Sequence, residues 1–495
     1  MEKYIIALDQ GTTSCRSILF NNKGQLIASE QKEFTQIFPE SGWVEHNPKE
    51  IWETQYKTLL DLIKNNNLNA KQIDSIGITN QRETTLIWNK NTGEPIYNAI
   101  VWQDNRTSVY CQDLKSKGHE TLFRQKTGLV LDSYFSGTKI NWILNNVTGA
   151  KEMANNGLLL FGTIDTWLIW NLTNKKIHAT DISNASRTLI CNIHELIWDS
   201  ELLEILEIPA KILPEIKDCS ADFGCWDFNG IDIPICGVAG DQQAALFGQC
   251  CFEDGSAKNT YGTGCFMLMN TGPNAIESTN GLLTTVAWSL DGKVTYALEG
   301  SVFIAGAAIQ WLRDGLKIIS SASETQDNAM NSKADDLVFV PAFAGLGAPY
   351  WDMNVKGGIF GLTRDIGIND LCKATLESLA FQTRDVIVAM EKDAELNLNT
   401  LAVDGGACIN DFLMQFQSDI LNAQVKRPKT IESTALGAAY LAGIKTGYYD
   451  VKSLKNNHKI ERTFQPEKDL KAIKNKIINW DKAIQCLIKL HNNNE

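Results

Sequence analysis

An acid, a glycine and a run of hydroxyls form the first stretch with chemical content: Asp9-Gln10-Gly11-Thr12-Thr13-Ser14, followed by Arg16. The apolar run Tyr4–Leu8 predicts a buried strand leading into it, and Ser17–Phe20 with the Asn22–Gly24 turn predicts the returning arm of a hairpin. A magnesium triphosphate needs this mixture, an oxygen ligand for the metal and neutral donors that approach phosphate oxygens closely. Taken alone the stretch is equally an ordinary hairpin bend, because Asp-x-Gly-Thr is short. Two later turns share its character: Tyr261-Gly262-Thr263-Gly264, and Val403-Asp404-Gly405-Gly406-Ala407. A second acid, Asp241, stands between the strand-like Ile231–Gly237 and the helix-like Ala244–Phe247. Together they suit a two-domain nucleotide clamp, with one phosphate turn per half and a Gly-Gly turn where a nucleoside passes close to backbone.

The elements that must position these residues alternate between strand and helix patterns. Trp52–Asn65 carries Trp52, Tyr56, Leu59, Leu60 and Ile63 at helical spacing. Ile73–Thr79 is a β-branched run ending in Asn80-Gln81-Arg82-Glu83-Thr84, and Ala99–Trp102 ends in Gln103-Asp104-Asn105-Arg106. Ligands of open α/β sheets lie beyond the carboxyl ends of strands, which singles out Arg82 and Glu83, although an adjacent pair of this kind is also an ordinary exposed ion pair. Leu131–Asn145 holds Tyr134, Ser136, Lys139 and Trp142. Leu158–Trp170 reads as a strand ending near Gly162 and a helix capped by Asp165, and Asp181–Thr188 as a polar loop. Composition turns linker-like between Gly248 and Ser256, and a second domain is expected from about Gly255. There Asp291-Gly292 signals a hairpin, Ser301–Ile319 and Asn369–Lys392 read as helices, Asn410 opens another, and Thr434–Thr446 is an Ala/Gly-rich helix suited to close packing. Leu470–Leu490 reads as a surface helix. The expected division is residues 1–250, 255–447 and a helical tail, 448–495.

Composition narrows the classes. The 495 residues are 44% hydrophobic and 21% charged, ordinary globular material for two or three domains. A formal net charge of −12 gives no support for nucleic-acid or anionic-membrane binding. Twelve cysteines stand singly apart from Cys250-Cys251, and six histidines are dispersed, so neither a disulfide framework nor a zinc site is expected. No apolar run approaches about 18 residues and no export-signal pattern opens the chain, so a cytoplasmic protein without stable membrane association is expected. There is no Walker A loop and no Gly-x-Gly-x-x-Gly; a nucleotide must be held by another device.

These turns, with Gly42-Trp43-Val44-Glu45-His46, Ile78–Thr84, Tyr134–Lys139, Gly240–Gly248 and Lys258–Thr271, occur in an order that resembles the FGGY carbohydrate kinases, in the fold group of hexokinase, actin and the heat-shock chaperone ATPase. The resemblance runs from Tyr4 to Gly447. It implies two ribonuclease-H-like α/β domains with a cleft between them, and ATP-dependent phosphorylation of glycerol to sn-glycerol 3-phosphate, a precursor for catabolism and glycerolipids. Carried over position by position, it implies that Arg82 and Glu83 bind two glycerol hydroxyls, that Tyr134 adds a phenol at the same end, and that Trp102 and Phe266 wall the carbon chain. Asp241 then stands beside the reacting hydroxyl as proton acceptor, with Gln242 next to it. Thr12, Thr13, Ser14 and Arg16 correspond to the first phosphate turn and Thr263 to the second. Gly306, Gln310, Gly406 and Asn410 correspond to adenosine contacts, and Asp9 and Asp241 would hold Mg²⁺. Read without the family, Gln310 is a helix-surface residue and Asn410 an N-cap. A homodimer or homotetramer is the implied assembly.

Two family features are missing. The loop Asp227–Asp232 has no basic residue with which to bind an inhibitory sugar bisphosphate, and Cys219–Ile235 has no histidine for regulatory phosphorylation. The alternative substrates are another polyol or ketose, such as dihydroxyacetone or xylulose. A nucleotide-gated module of the actin or chaperone type has no reason to keep Arg82, Glu83, Tyr134 and Asp241 together.

Overall fold

The computed structural model describes residues 2–467 and 470–492. Two mixed sheets organise it. In the first, β1 (Tyr4–Gln10), β2 (Ser14–Phe20) and β3 (Leu26–Glu33) form an antiparallel meander. Beside them lie β4 (Ile73–Asn80), β5 (Cys225–Phe228) and β6 (Ile231–Gly240), in the order β5-β6-β4-β1-β2-β3. In the second, β7 (Ser256–Tyr261), β8 (Cys265–Gly272), β9 (Leu283–Leu290), β10 (Lys293–Val302), β11 (Thr400–Asp404), β12 (Gln424–Pro428) and β13 (Ile460–Phe464) follow the order β9-β10-β8-β7-β11-β12-β13. The two repeat one plan: an opening hairpin whose first strand pairs in parallel with a strand from much later in the chain. Register makes this functional. Gln10, Asn80 and Gly240 lie level, so β1, β4 and β6 end in one row. Thr260 lies opposite Asp404, so the Gly262–Gly264 and Gly405-Gly406 turns share the corresponding edge of the second sheet.

Helices cover both faces: α1 (Pro48–Asn65), α2 (Ser136–Asn146), α3 (Asp241–Gly248), α4 (Ile368–Ala394), α5 (Asp411–Leu421), α6 (Ser433–Thr446) and α7 (Leu470–Asn492). On α1 the expected Leu59 and Ile63 are buried and Trp52, Tyr56 and Leu60 pack half-buried against the core, while the deepest stripe turns toward Ile51, Gln55, Thr58 and Leu62. Gln55 donates through its amide nitrogen to the Arg16 carbonyl and Thr58 shares a hydrogen bond with the Ser17 hydroxyl, while Trp52 and Tyr56 stack 4.9 Å apart beside the stripe. Asp165 is not a cap. It lies in the first turn of its helix, fully buried, accepting from Thr163 and Thr180, and burial together with the Asp181 charge pushes it up to about 7. The expected loop Asp181–Thr188 is wholly buried around a short helix, because its polar groups satisfy one another: Asp181 caps Ser183 and Asn184, and Asn184 pairs with Asn80. The expected helix Ser301–Ile319 begins only at Gly306, since β10 runs to Val302, and it widens into a π-turn over Trp311–Gly315. The tail contributes β13 as well as helices, and α7 is no mere surface helix: Trp480 is fully buried, stacked on Phe381 at 5.0 Å and donating to Asp385.

The Ala/Gly-rich α6 follows a strand of the second sheet, yet packs on α3 and on β1, β4 and β6 of the first. Four glycines allow this. A Cβ on Gly77 or Gly237 would strike Ala438 or Ala442 of α6, and one on Gly248 or Gly437 would strike the facing carbonyl of Ser433 or Ala244. This helix crossing therefore joins the halves in addition to the 249–255 link. Gly437→Val gains less than about 1 kcal/mol of helix propensity and forces the backbones apart at about 1–3 kcal/mol. A thermal midpoint several degrees lower is expected; an unchanged midpoint would contradict so close a crossing.

Candidate active site

Beyond the level strand ends, β4 runs into Gln81-Arg82-Glu83. Glu83 has φ +60 and sits in the centre of a γ-turn, the Thr84 N–H donating to the Arg82 carbonyl at 2.7 Å. This backbone is strained for a residue with a side chain. It is held by the Thr85 and Ser136 hydroxyls, which both donate to the Glu83 carbonyl at 2.9 Å. The turn sends two adjacent charged side chains inward, so they are not the exposed pair that adjacency alone suggests.

Inside, Arg82 donates through both terminal nitrogens to Glu299 of β10, at 2.5 and 3.0 Å, and also to Gln243 at 3.2 Å and Tyr134 at 3.4 Å. Its Nε lies 3.3 Å from Asp241 Oδ1 and 3.6 Å from Glu83 Oε1. Arg187 closes the ring, donating to Glu83 Oε1 at 2.7 Å and Glu299 Oε1 at 2.9 Å. Arg82, Glu83, Arg187 and Glu299 are all buried, while the Asp241 side chain is 33% exposed. Burial pushes both glutamates up. For Glu299 the guanidiniums of Arg187 and Arg82 overcome it and hold the carboxyl at about 2, whereas Glu83 stays above the usual range. The Glu83 contacts all use Oε1, which leaves Oε2 for a ligand. Arg82 likewise has its terminal nitrogens committed and presents Nε toward Asp241.

Trp102 stands edge-on to Tyr134 at 5.5 Å and to Phe266 of the second sheet at 6.3 Å, and its Nε1 donates to Thr12 Oγ1 at 3.0 Å. The aromatic corner thus joins the polar cluster to the first phosphate turn. That turn is closed by the Gly11 N–H donating to the Ser14 carbonyl at 2.9 Å. Gln36 supports it, donating to the Thr12 carbonyl, and is held in turn by His46 at 2.8 Å. Burial drives His46 down to about 4, so it is neutral and structural. Arg16 bridges Asp9 and Glu432. Burial nevertheless raises Asp9, with Arg16 opposing and the Glu432 and Asp241 charges adding.

On the second sheet a cleft of about 540 Å³ is lined by Gly262, Thr263, Gly306, Gln310, Gly406 and Asn410, among others. All the expected adenosine-side positions therefore meet in one cavity. The Gly306 N–H donates to the Gly262 carbonyl at 3.0 Å, and a Cβ at Gly306 would press on that oxygen at 2.5 Å, so glycine is required there. Asn410 caps α5 through the Leu413 N–H at 3.0 Å and also lines the cleft.

Arg187, Glu299 and Lys258 are buried charges of this site that the candidate residues do not include. Arg187 lay in a stretch read as loop. Glu299 and Lys258 sit in strands; for Glu299 the available signal is a lone charge after the apolar Ala297-Leu298, whereas Lys258 lies in the polar stretch Ser256–Thr260 and has no such signal. Lys258 is fully buried, bonded to the Gln242 amide oxygen and to Thr260 Oγ1.

A polyol-sized polar cluster and a nucleotide-sized cleft, joined by a phosphate hairpin, are the features of a sugar or polyol kinase. The chain belongs to the FGGY family of carbohydrate kinases: the family's N-terminal domain matches residues 4–248 and its C-terminal domain residues 257–446. It is 59% identical over 490 residues to a glycerol kinase of Carboxydothermus hydrogenoformans, covering 98% of both chains. It is 57% identical to a glycerol kinase of a Thermoanaerobacter species, covering 99% of both. The crystal structure of Plasmodium falciparum glycerol kinase with ADP superposes with a TM-score of 0.93 at 36% identity, over 98% of each chain.

Removing one partner from a buried ion cluster costs about 3–5 kcal/mol. Glu299→Gln keeps the shape and removes the charge shared by Arg82 and Arg187, so a loss of that order in unfolding free energy and a raised KM for the polyol are expected. Because Glu299 titrates lower folded than unfolded, its contribution is complete above about pH 4.5 and is lost toward pH 2. The stability gap between wild type and variant should therefore narrow on acidification over that range; a constant gap would contradict the assignment.

Proposed function

We propose that this chain transfers the γ-phosphoryl group of ATP to a terminal hydroxyl of glycerol, giving glycerol 3-phosphate and ADP. The observation that carries the reading is the convergence on one small space of Arg82 Nε, the free oxygen of Glu83, the Tyr134 phenol and Asp241. A donor edge and a carboxylate oxygen satisfy two hydroxyls, Trp102 and Phe266 face the carbon chain, and Asp241 faces the third. Buried polar groups reject substrates that leave them unpaired, which favours a three-carbon polyol over a longer ketose.

In the transfer the glycerol oxygen bonds to the γ-phosphorus as the bond to the β-phosphate oxygen breaks, the hydroxyl proton passing to Asp241. The transition state is loose, so positioning and charge neutralisation outweigh base strength. Thr12, Thr13, Ser14 and Arg16 on one side and Thr263 on the other receive the phosphates, and Gly306, Gln310, Gly406 and Asn410 the nucleoside. Closure of the halves over the cleft would exclude water. Among the described residues no group of three or more potential metal ligands occurs. Magnesium at a nucleotide usually keeps waters and phosphate oxygens and takes only one or two carboxylates, so Asp9 and Asp241 fit it. The ion would neutralise phosphate charge, and Arg16 would have to release Asp9 for it. With ATP as donor and twelve free thiols, we assign the protein to the cytoplasm; homodimer or homotetramer assembly rests on the family.

Asp241→Asn keeps size and removes the proton acceptor. Glycerol-dependent ADP formation is expected to fall by orders of magnitude while ADP binding, measured by calorimetry, stays near normal. Unchanged turnover would take Asp241 out of this role.

A further inference from the structure

Lys258 lies midway along β7 and reaches from the second sheet to the N-terminus of α3. Its Nζ donates to Gln242 Oε1 and, at 2.9 Å, to Thr260 Oγ1. Among the described residues no carboxylate lies within ion-pair distance of it. A fully buried ammonium without a paired anion is costly, so neighbouring backbone packing gives no reason for it. Burial drives it down to about 8, against the pull of Asp404 on β11, Asp241 on α3 and Glu299 on β10 and with the push of Arg82. The nearby Cys251 and Cys265 thiols are raised by burial and neutral. At neutral pH the ammonium form therefore dominates.

We propose that Lys258 is a positioning residue for phosphoryl transfer, fixing the Gln242 carboxamide with its oxygen toward the second half and its N–H donors toward the cleft beside Asp241. An ammonium offers three donors and no acceptor, so only the amide oxygen can face it, and the orientation of Gln242 is decided. Since Lys258 and Gln242 come from different halves, the donor is in place only when the halves meet at this crossing. The inference rests on the proposed placing of Gln242 beside the reacting hydroxyl.

The test is a double-mutant cycle read by steady-state kinetics. Lys258→Met should lower kcat by about 10- to 100-fold, the equivalent of one charge-assisted hydrogen bond, with KM for ATP little changed. Lys258→Arg should recover part of that loss. Lys258→Met added to Gln242→Ala should cost no more than about twofold beyond Gln242→Ala alone, as for residues acting through one contact. Additive losses would overturn the proposal. If Lys258→Met fails to fold, Gln242→Glu serves: its carboxylate meets the ammonium, so the variant should melt at or above the wild-type temperature yet lose turnover like Gln242→Ala. A lower midpoint, or retained turnover, would equally overturn it. Activity surviving in Asp241→Asn would instead remove the reading on which this inference rests.

Discussion

The bidentate pair between Arg82 and Glu299 is the constraint on which the site depends. One partner stands at the end of β4 in the first sheet and the other inside β10 of the second, and neither is exposed. Such a pair is a poor source of net stability, because desolvation consumes most of its attraction. Its effect is geometric. With both terminal nitrogens held, the guanidinium can offer only its Nε edge, and that edge faces Asp241 and Glu83. Arg187 fixes Glu83 in the same way through one oxygen and leaves the other free. Cohesion between the halves draws on the flush crossing of α3 and α6 that glycine permits and on the apolar cluster that joins Ile5, Ile18 and Phe247 to Leu268, Val286 and Trp288.

The repeated sheet plan then divides the labour. Each sheet places a hairpin tip at the level where its parallel strands end. The first edge collects acids and hydroxyls, suited to metal, phosphate and polyol. The second collects glycines and amides, Gly262, Gly306, Gly406, Gln310 and Asn410, around one cleft with backbone at its wall. Lys258 and Glu299 are the exceptions, charges of the second sheet that reach back to orient side chains of the first.

Much of this was legible in the chain. Hairpin tips and strand-to-helix junctions have local signatures, so Gly11–Ser14, Gly262–Gly264, Asp404–Gly406 and Asp241 could be found from neighbours in sequence. The supporting charges could not. Arg187 and Glu299 find their ion-pair partners more than a hundred positions away, and a polar run such as Asp181–Thr188 looks solvated until its internal hydrogen bonds are seen. The same limit explains Asp165 and α1, where Asp165, Gln55 and Thr58 are buried against partners on other elements. Tight helix crossings fared better, because Ala/Gly composition announces them, though not which sheet they join.

Substrate choice separates this arrangement from its nearest rivals most directly. ADP release should be followed with glycerol, dihydroxyacetone, xylulose, ribulose and gluconate under the same conditions. A site with one donor edge, one free carboxylate oxygen and an aromatic corner should give glycerol the highest kcat/KM by a wide margin. Preference for a pentulose, or no rate above that with water, would contradict it.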